Sequence, residues 1–324
     1  MRRREFIGVL GGAAVWPVTA SAQSPAIPPH VVLLSAAPDP AERLGVFRKQ
    51  LRELGYVEGR NINLDIRSAE GHVGRLPAIA EGLVREGGID VILAESTPAA
   101  DAAHRATQTI PIVAFVAVDP VASGLALSLA HPGGNVTGIA IFAEETNVKR
   151  VELMREVAPR AVRLAAVTAI SVGGTLNLDS VQETGRKLGF VVEIINVADP
   201  AHLPEALSPS VVAGFDAFVF VPDVVLTSHR DEVIKLIASS NKPAIYPSRN
   251  WVDSGGLMFF GPDFRVAYRD WATQLVRVLK GEKPSDLPFE RPTKFDFAIN
   301  LRTARAMGIE IPPTLLLRAN EVIE

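Results

Sequence analysis

Residues 90–120 read DVILAESTPAADAAHRATQTIPIVAFVAVDP. The apolar run 91–94 meets Glu95-Ser96-Thr97-Pro98, a helical pattern continues to about Thr107, and a second apolar run, 110–118, stops at Asp119-Pro120. Short apolar runs flanking a helix mark a strand–helix–strand unit of a buried, parallel sheet. Thr97 has the side chain an N-cap needs, and Pro98 suits the first helical position, where its missing N–H costs nothing. Beside the free amides of that turn, the hydroxyls of Ser96 and Thr97 would make a donor-rich pocket for a carboxylate or other anion. Ligands of open α/β sheets bind at such strand ends. Capping alone would also explain Thr97.

Working outward, residues 30–35 read as a buried first strand, and 41–54 as a helix with Leu44, Phe47, Leu51 and Leu54 on one face, closed by Gly55. Residues 61–67 alternate as a strand and 75–85 form the next helix. Downstream, His131-Pro132-Gly133-Gly134-Asn135-Val136-Thr137-Gly138 is dense in turn residues and leads to a short apolar run, 139–142, expected to be the first crossing between lobes. After a helix at 145–157 the order repeats: strands at 163–168, 191–197, 217–221 and 243–246, with helices at 177–188, 202–212 and 228–239 between them. Leu54-Gly55-Tyr56 answers Leu188-Gly189-Phe190, Ile89-Asp90-Val91 answers Phe215-Asp216-Ala217, and Pro111 answers Pro243, at offsets of 134, 126 and 132 residues.

Near-constant offsets predict two like-built α/β lobes, each a doubly wound parallel sheet covered by helices on both faces. A tail follows: a strand at 257–261, a long helix at 263–279, a strand at 295–300 and a helix at 301–307. Since both lobes are complete before it, the tail must add to them, and three chain crossings would make a hinge. The expected division is 29–141 with 256–292 in the first lobe, and 142–255 with 293–324 in the second.

Length and composition narrow the class. At 324 residues, two domains are the default. Arg2-Arg3-Arg4, the apolar segment 6–16 and Ala20-Ser21-Ala22 have the three regions of a secretory signal peptide, too short to span a bilayer. Arg3-Arg4-Glu5-Phe6-Ile7 resembles the twin-arginine export signal, so residues 1–22 are expected to be removed and the mature chain to start near Gln23 in the periplasm. Losing Arg2, Arg3, Arg4 and Glu5 takes the formal charge from −3 to −5. A mildly acidic chain without a basic stripe argues against nucleic acid. No other apolar run is long enough for membrane insertion. The chain contains no cysteine, which excludes disulfides, thiolate metal sites and a lipid-anchored cysteine.

No G-x-G-x-x-G follows a strand, no G-x-x-x-x-G-K-[ST] occurs, and the six histidines are scattered, so neither a cofactor nor a metal is expected. One enzyme-like pattern remains: Ser171, within Ala169-Ile170-Ser171-Val172-Gly173, resembles a relaxed nucleophile elbow, with Asp223 and His229 following in order. Gly173-Gly174-Thr175 loosens that turn, and no second glycine precedes the serine. Polar residues at strand ends converge if both sheets face one cleft: Ser35, Ser96, Thr97 and Asp119 from the first lobe, Ser171, Asp223 and Tyr246 from the second. Hydroxyls and helix amides would hold an anion, Asp223 or Asp119 a cation, and Tyr246 would pack and hydrogen-bond. Each aspartate is equally placed to cap a helix or form a turn.

Residues 54–61 (LGYVEGRN), Thr97-Pro98-Ala99-Ala100, Ile110-Pro111-Ile112-Val113, Val118-Asp119-Pro120-Val121, the stretch 131–138, Pro243-Ala244-Ile245-Tyr246-Pro247, Gly255-Gly256-Leu257-Met258 and Pro292-Thr293-Lys294-Phe295 together resemble the ABC transporter substrate-binding protein family that includes the tryptophan-binding lipoproteins. The resemblance covers nearly the whole mature chain, in order. It implies the type I periplasmic-binding-protein fold: two α/β lobes, three hinge strands and a small-molecule ligand, an amino acid or related organic anion, clamped between them. It also implies an ABC transporter permease as partner and a monomeric receptor rather than an enzyme. A sensor module of a signalling system shares this fold, and a secreted serine hydrolase using Ser171 is the reading from another class. Family members commonly have Gly-Thr-Pro where this chain has Ser96-Thr97-Pro98, and an Asn/Pro-rich turn where it has 169–175. Without the lipobox cysteine, this chain should diffuse freely.

Overall fold

The computed structural model describes residues 27–38, 41–169, 178–197 and 200–324. The first sheet contains β1 (His30–Ser35), β2 (Asn63–Ser68), β3 (Val91–Glu95), β4 (Ile112–Val116) and β5 (Val136–Ala140), in the order β2-β1-β3-β4-β5 and parallel throughout. Every residue of β3, β4 and β5 is buried, because helices cover both faces. α1 (Ala41–Glu53) lies on one face; α2 (Leu76–Glu86) and α3 (Thr97–Ala106) lie on the other.

α4 (Ala143–Val157) then leads into the second sheet, built from β6 (Arg163–Thr168), β7 (Val191–Asn196), β8 (Ala217–Phe220), β9 (Ala244–Tyr246), β10 (Met258–Pro262), β11 (Phe295–Asn300) and β12 (Glu321–Ile323). Their order is β12-β11-β10-β9-β8-β6-β7. The run β7-β6-β8-β9-β10 repeats the first sheet's topology, and Gly55 and Gly189, at matching points, both have positive φ (91° and 80°). Only β10–β11 is antiparallel among the pairs of these named strands. The helices around this sheet are α5 (Asp179–Lys187), α6 (Leu203–Ala206), α7 (Pro209–Ala213), α8 (Val224–Ser228), α9 (Arg230–Ala238), α10 (Arg249–Asp253), α12 (Leu301–Met307) and α13 (Pro313–Leu316), while α11 (Phe264–Leu279) returns to the first. There α11 packs beside α1: the Phe47 and Trp271 rings are 5.0 Å apart, and Trp271 Nε1 donates to the Val113 carbonyl at 3.1 Å.

The structure differs from the expected division at one strand. β10 was expected with the first lobe, but it hydrogen-bonds to β9 and β11 in the second sheet, so the second crossing comes after Pro262. The chain passes between sheets between β5 and α4, between Pro262 and Phe264, and again before β11. The three passages touch: Ala140 N donates to the Glu290 carbonyl (2.9 Å) and Asp263 N to the Lys294 carbonyl (3.0 Å).

Smaller differences have local causes. β5 starts at Val136, inside the segment read as a turn, because Gly138 takes φ +144° and lets β5 approach β4. The helix expected over 202–212 is broken before Pro209, whose predecessor Ser208 is extended (φ −61°, ψ 154°), as a residue before proline prefers. α8, α10, α13 and β12 were not anticipated.

Candidate functional site

Both sheets direct the carboxyl ends of β1, β3, β4, β6, β8 and β9 towards a cavity of about 340 Å³. The first lobe contributes Ala36 after β1, Val46 of α1, Ser96, Thr97 and Pro98 at the start of α3, and Phe115, Ala117 and Val118 at the end of β4. The second contributes Ala169, Pro222, Asp223, Thr227, Pro247, Ser248, Arg249, Asn250, Asp253 and Phe259, and the crossings add Pro262, Asp263, Phe264, Arg265, Tyr268 and Asp296. Phe115 stacks on Tyr268 (centroids 4.9 Å apart, planes 14°) and on Phe264 (6.1 Å, 29°), making an aromatic shelf on the first-lobe side. No charged side chain of the described first-sheet residues lines the cavity; among the described residues its charged groups are Asp223, Arg249, Asp253, Asp263, Arg265 and Asp296.

The helix start at this shelf is shifted by one residue from the sequence reading. Ser96, not Thr97, is the N-cap: its Oγ accepts from Ala99 N at 3.3 Å, while Thr97 is the first helical residue. Thr97 Oγ1 accepts instead from the Ala117 amide at 3.0 Å, tying α3 to the end of β4. Two adjacent hydroxyls suit one cap, and the tertiary partner at Ala117 decides which takes it.

Three of the expected site residues, Ser96, Thr97 and Asp223, line the cavity. Asp223 also caps α8, accepting from Leu226 N at 2.9 Å. Three others lie elsewhere. Ser35 is buried behind the wall, where its Oγ donates to Glu95 Oε2 (2.8 Å) and accepts from Ala37 N (3.1 Å), and Tyr268 OH donates to Glu95 Oε1 (2.7 Å). Asp119 forms a turn, accepting from Val121 N at 2.8 Å. Tyr246 is buried in a stack with Phe220 (4.9 Å) and Trp251 (4.8 Å), and burial pushes its phenol above the usual range. Aromatic packing took a residue that the strand-end rule assigned to the cleft. Ser171 and its turn lie outside the described residues.

The sequence reading missed Arg249, Asn250, Asp253, Asp263, Arg265 and Asp296. Ser248 before Arg249-Asn250-Trp251-Val252 was a legible helix start, with Ser248 as N-cap of α10. Arg249 bonds Glu321 of β12 with both terminal nitrogens (Nη2 to Oε1 2.7 Å) and Asp253 Oδ1 through Nε at 2.8 Å. The Glu321 hydrogen bond raises the Arg249 pKa further, and the Arg249 guanidinium holds Glu321 below the usual carboxylate range. Asp263 caps α11, accepting from Arg265 N at 3.0 Å and from Lys294 Nζ at 3.1 Å. Burial alone would raise its pKa; the Lys294 hydrogen bond and the nearby Arg265 outweigh that and lower it. Among the described residues no cluster of three or more His, Cys, Asp or Glu could hold a metal, and no helix is long and apolar enough to cross a membrane.

With this geometry, the chain matches the ABC transporter substrate binding protein family over residues 34–323. It is 30% identical to the tyrosine-binding protein of Clostridioides difficile (strain R20291) over 266 residues, 82% of this chain and 76% of that protein. Its structure is similar to that of an ABC domain from Streptococcus pneumonia in complex with L-Trp, with TM-score 0.78 and 26% identity over 90% of this chain and all of that one. It is also similar to the ligand-free, open form of a substrate-binding protein with adhesive properties from Clostridium difficile, with TM-score 0.61 and 27% identity over 91% of this chain and 99% of that one. The fold is that of type I periplasmic binding proteins. Family, fold and cleft agree: this chain belongs to the ABC transporter substrate binding protein family.

Proposed function

We propose that the protein is a periplasmic solute receptor of an ABC-type uptake transporter, exported by its twin-arginine signal, which clamps an amino acid with an aromatic side chain between its lobes and presents the closed form to a permease. The carrying observation is the 340 Å³ cavity between the two sheets, with Phe115, Phe264 and Tyr268 forming a stacked aromatic wall. Such rings offer offset stacking to a flat side chain while the polar wall fixes orientation. The tyrosine and tryptophan named for two relatives support the same class. Ser96, Thr97 and Asp223 are the expected site residues retained as ligand contacts, with Arg249, Asn250 and Asp253 added. The lobes move about the three crossings as the ligand favours the closed state. A role in catalysis is not proposed, since family members are binding proteins.

The test is a thermal-shift series on the mature chain, starting at Gln23, with tyrosine, tryptophan, phenylalanine and aliphatic amino acids. Ligand at 100 times its Kd stabilises by about 2.7 kcal/mol, enough to raise Tm by several degrees. A shift with the aromatic set alone supports the reading. A shift only with aliphatic members removes the aromatic ligand, and none at all removes the amino-acid ligand.

A further inference from the structure

We infer that Glu95, from behind the cavity, is a positioning residue of its aromatic wall: the carboxylate fixes the Tyr268 ring against Phe115 and so sets the preference of the cleft for a flat side chain. The inference rests on the aromatic ligand proposed above and concerns what makes the wall selective.

β1, β3 and β4 are neighbours in the first sheet, and their parallel register places Ser35 beside Glu95 and Glu95 beside Phe115. Register partners on adjacent strands share a face, so these three side chains form one row across the strand ends. Tyr268, on α11, spans that row. Its ring stacks on Phe115 (4.9 Å, 14°) while its hydroxyl donates to Glu95 Oε1 at 2.7 Å. Ser35 Oγ donates to Glu95 Oε2 (2.8 Å) and itself accepts from Ala37 N (3.1 Å), which holds the other oxygen of the carboxylate. The edge of Trp271, its centroid 5.9 Å from that of Tyr268 and 5.7 Å from that of Phe115, closes the back of the pair.

Only the aromatic part of this arrangement faces the cavity. Phe115 and Tyr268 line it, whereas Ser35 and Glu95 do not, and Glu95 is 1% exposed. A carboxylate held so deep is costly unless its oxygens are satisfied, and an apolar residue of similar size would fill the space at lower cost. What the carboxylate adds is direction. Stacking sets the spacing of two rings but lets one slide over the other, because each atom contact is weak and non-directional. A short, charge-assisted bond at the far end of the Tyr268 ring removes that freedom. A wall already in place need not be ordered by the ligand, so the anchor is expressed as affinity for side chains that stack on it.

The experiment is calorimetric titration of the mature chain with the aromatic amino acid it binds most tightly and with the ring-saturated analogue of that amino acid. The analogue is cyclohexylalanine for phenylalanine, 4-hydroxycyclohexylalanine for tyrosine and octahydrotryptophan for tryptophan, each alike in charge and lacking the flat ring. The expected wild-type preference for the aromatic member is about tenfold. Tyr268→Phe keeps the ring and loses its anchor; Glu95→Gln keeps the anchor's position and loses its charge. Each should weaken the aromatic member by about fivefold, leave the saturated one unchanged and so bring the preference to about twofold. Because Glu95 acts through the Tyr268 hydroxyl, the double variant should match either single variant. A purely structural Glu95 would instead lower Tm and weaken both ligands alike, and a wild-type ratio in Glu95→Gln overturns the inference. Losses that add in the double variant overturn it as well. If Glu95→Gln does not fold, Tyr268→Phe decides, since a wild-type ratio there means that the anchor does not set the preference. A wild-type chain that binds both members equally also overturns the inference and leaves the ligand class standing. Silence towards phenylalanine, tyrosine and tryptophan overturns the aromatic reading itself, and the inference falls with it.

Discussion

Ser96 has φ +136° and ψ +159°, a backbone region that is essentially glycine's. Its strain coexists with two useful bonds, the Oγ cap on Ala99 N and the carbonyl bond from Ala100 N. Ser96→Gly should therefore stabilise the fold by about 1 kcal/mol, since relief of strain exceeds the few tenths that a glycine cap gives up. A chemical-denaturation midpoint below wild type would refute this. The neighbouring hydroxyl behaves oppositely. Thr97→Ala leaves the Ala117 amide without its acceptor and should cost about 1 kcal/mol of stability, and calorimetry on the same variant reads any ligand contact separately. Side-chain type made these two residues visible in the sequence. Their division of labour was not, because the partner of Thr97 is 20 residues away in chain and adjacent only after β3 pairs with β4.

At the scale of elements, β5 and α11 carry the sharpest expectations. Gly138 is mid-strand at φ +144°, and a Cβ there would lie 1.9 Å from the Ala114 carbonyl oxygen. Gly138→Ala should thus cost on the order of 4 kcal/mol, seen as a large fall in urea midpoint or loss of soluble protein. Composition marked this stretch as a turn for a sound reason, since glycine does favour turns; here it serves a close approach between strands instead. α11 is capped by Asp263, whose folded pKa lies below its ordinary value. The carboxylate's contribution is therefore complete above the unfolded pKa and lost as pH falls through the folded one. Between about pH 5 and pH 3 the urea midpoint should drop, and Asp263→Asn should be less stable at neutral pH with a shallower drop. The helix was legible from its 3.6-residue pattern, but the sequence reading put Asp263 inside it, and the structure makes it the cap.

At the scale of the whole molecule, α4 holds the crossings together. Arg291, on the third passage, donates from Nη2 to both Glu145 oxygens (2.8 Å each) and lies over the Phe142 ring at 3.9 Å. One turn further, the fully buried Arg150 donates through Nε to the Phe260 carbonyl of β10 at 2.7 Å, with Asn147 and Thr146 accepting its other nitrogens. Desolvation lowers its pKa to about 9, so it remains charged at neutral pH. Arg291→Ala removes a half-exposed pair and a cation–π contact, about 1 kcal/mol together, without touching the cavity lining. If that clasp favours closure, affinity should fall by less than about tenfold, and the ligand-free radius of gyration should grow in small-angle scattering while the liganded value stays.

The sequence by itself determined the alternation of strands and helices, the two-lobed repeat and the family, because periodicity, capping and turn chemistry are local and survive without contacts. β1, β6, β11 and α12 fall where the pattern put them. Only the tertiary structure decided which sheet received β10, which strand-end residues reached the cleft, and that Arg249 is held by Glu321. Those outcomes depend on pairings across long separations, 72 residues for Arg249 and Glu321 and 173 for Glu95 and Tyr268, and on competition for one side chain between core and cavity. Tyr246 joined an aromatic stack and Ser35 a buried carboxylate, because a partner within reach in three dimensions outweighs a position at the end of a strand.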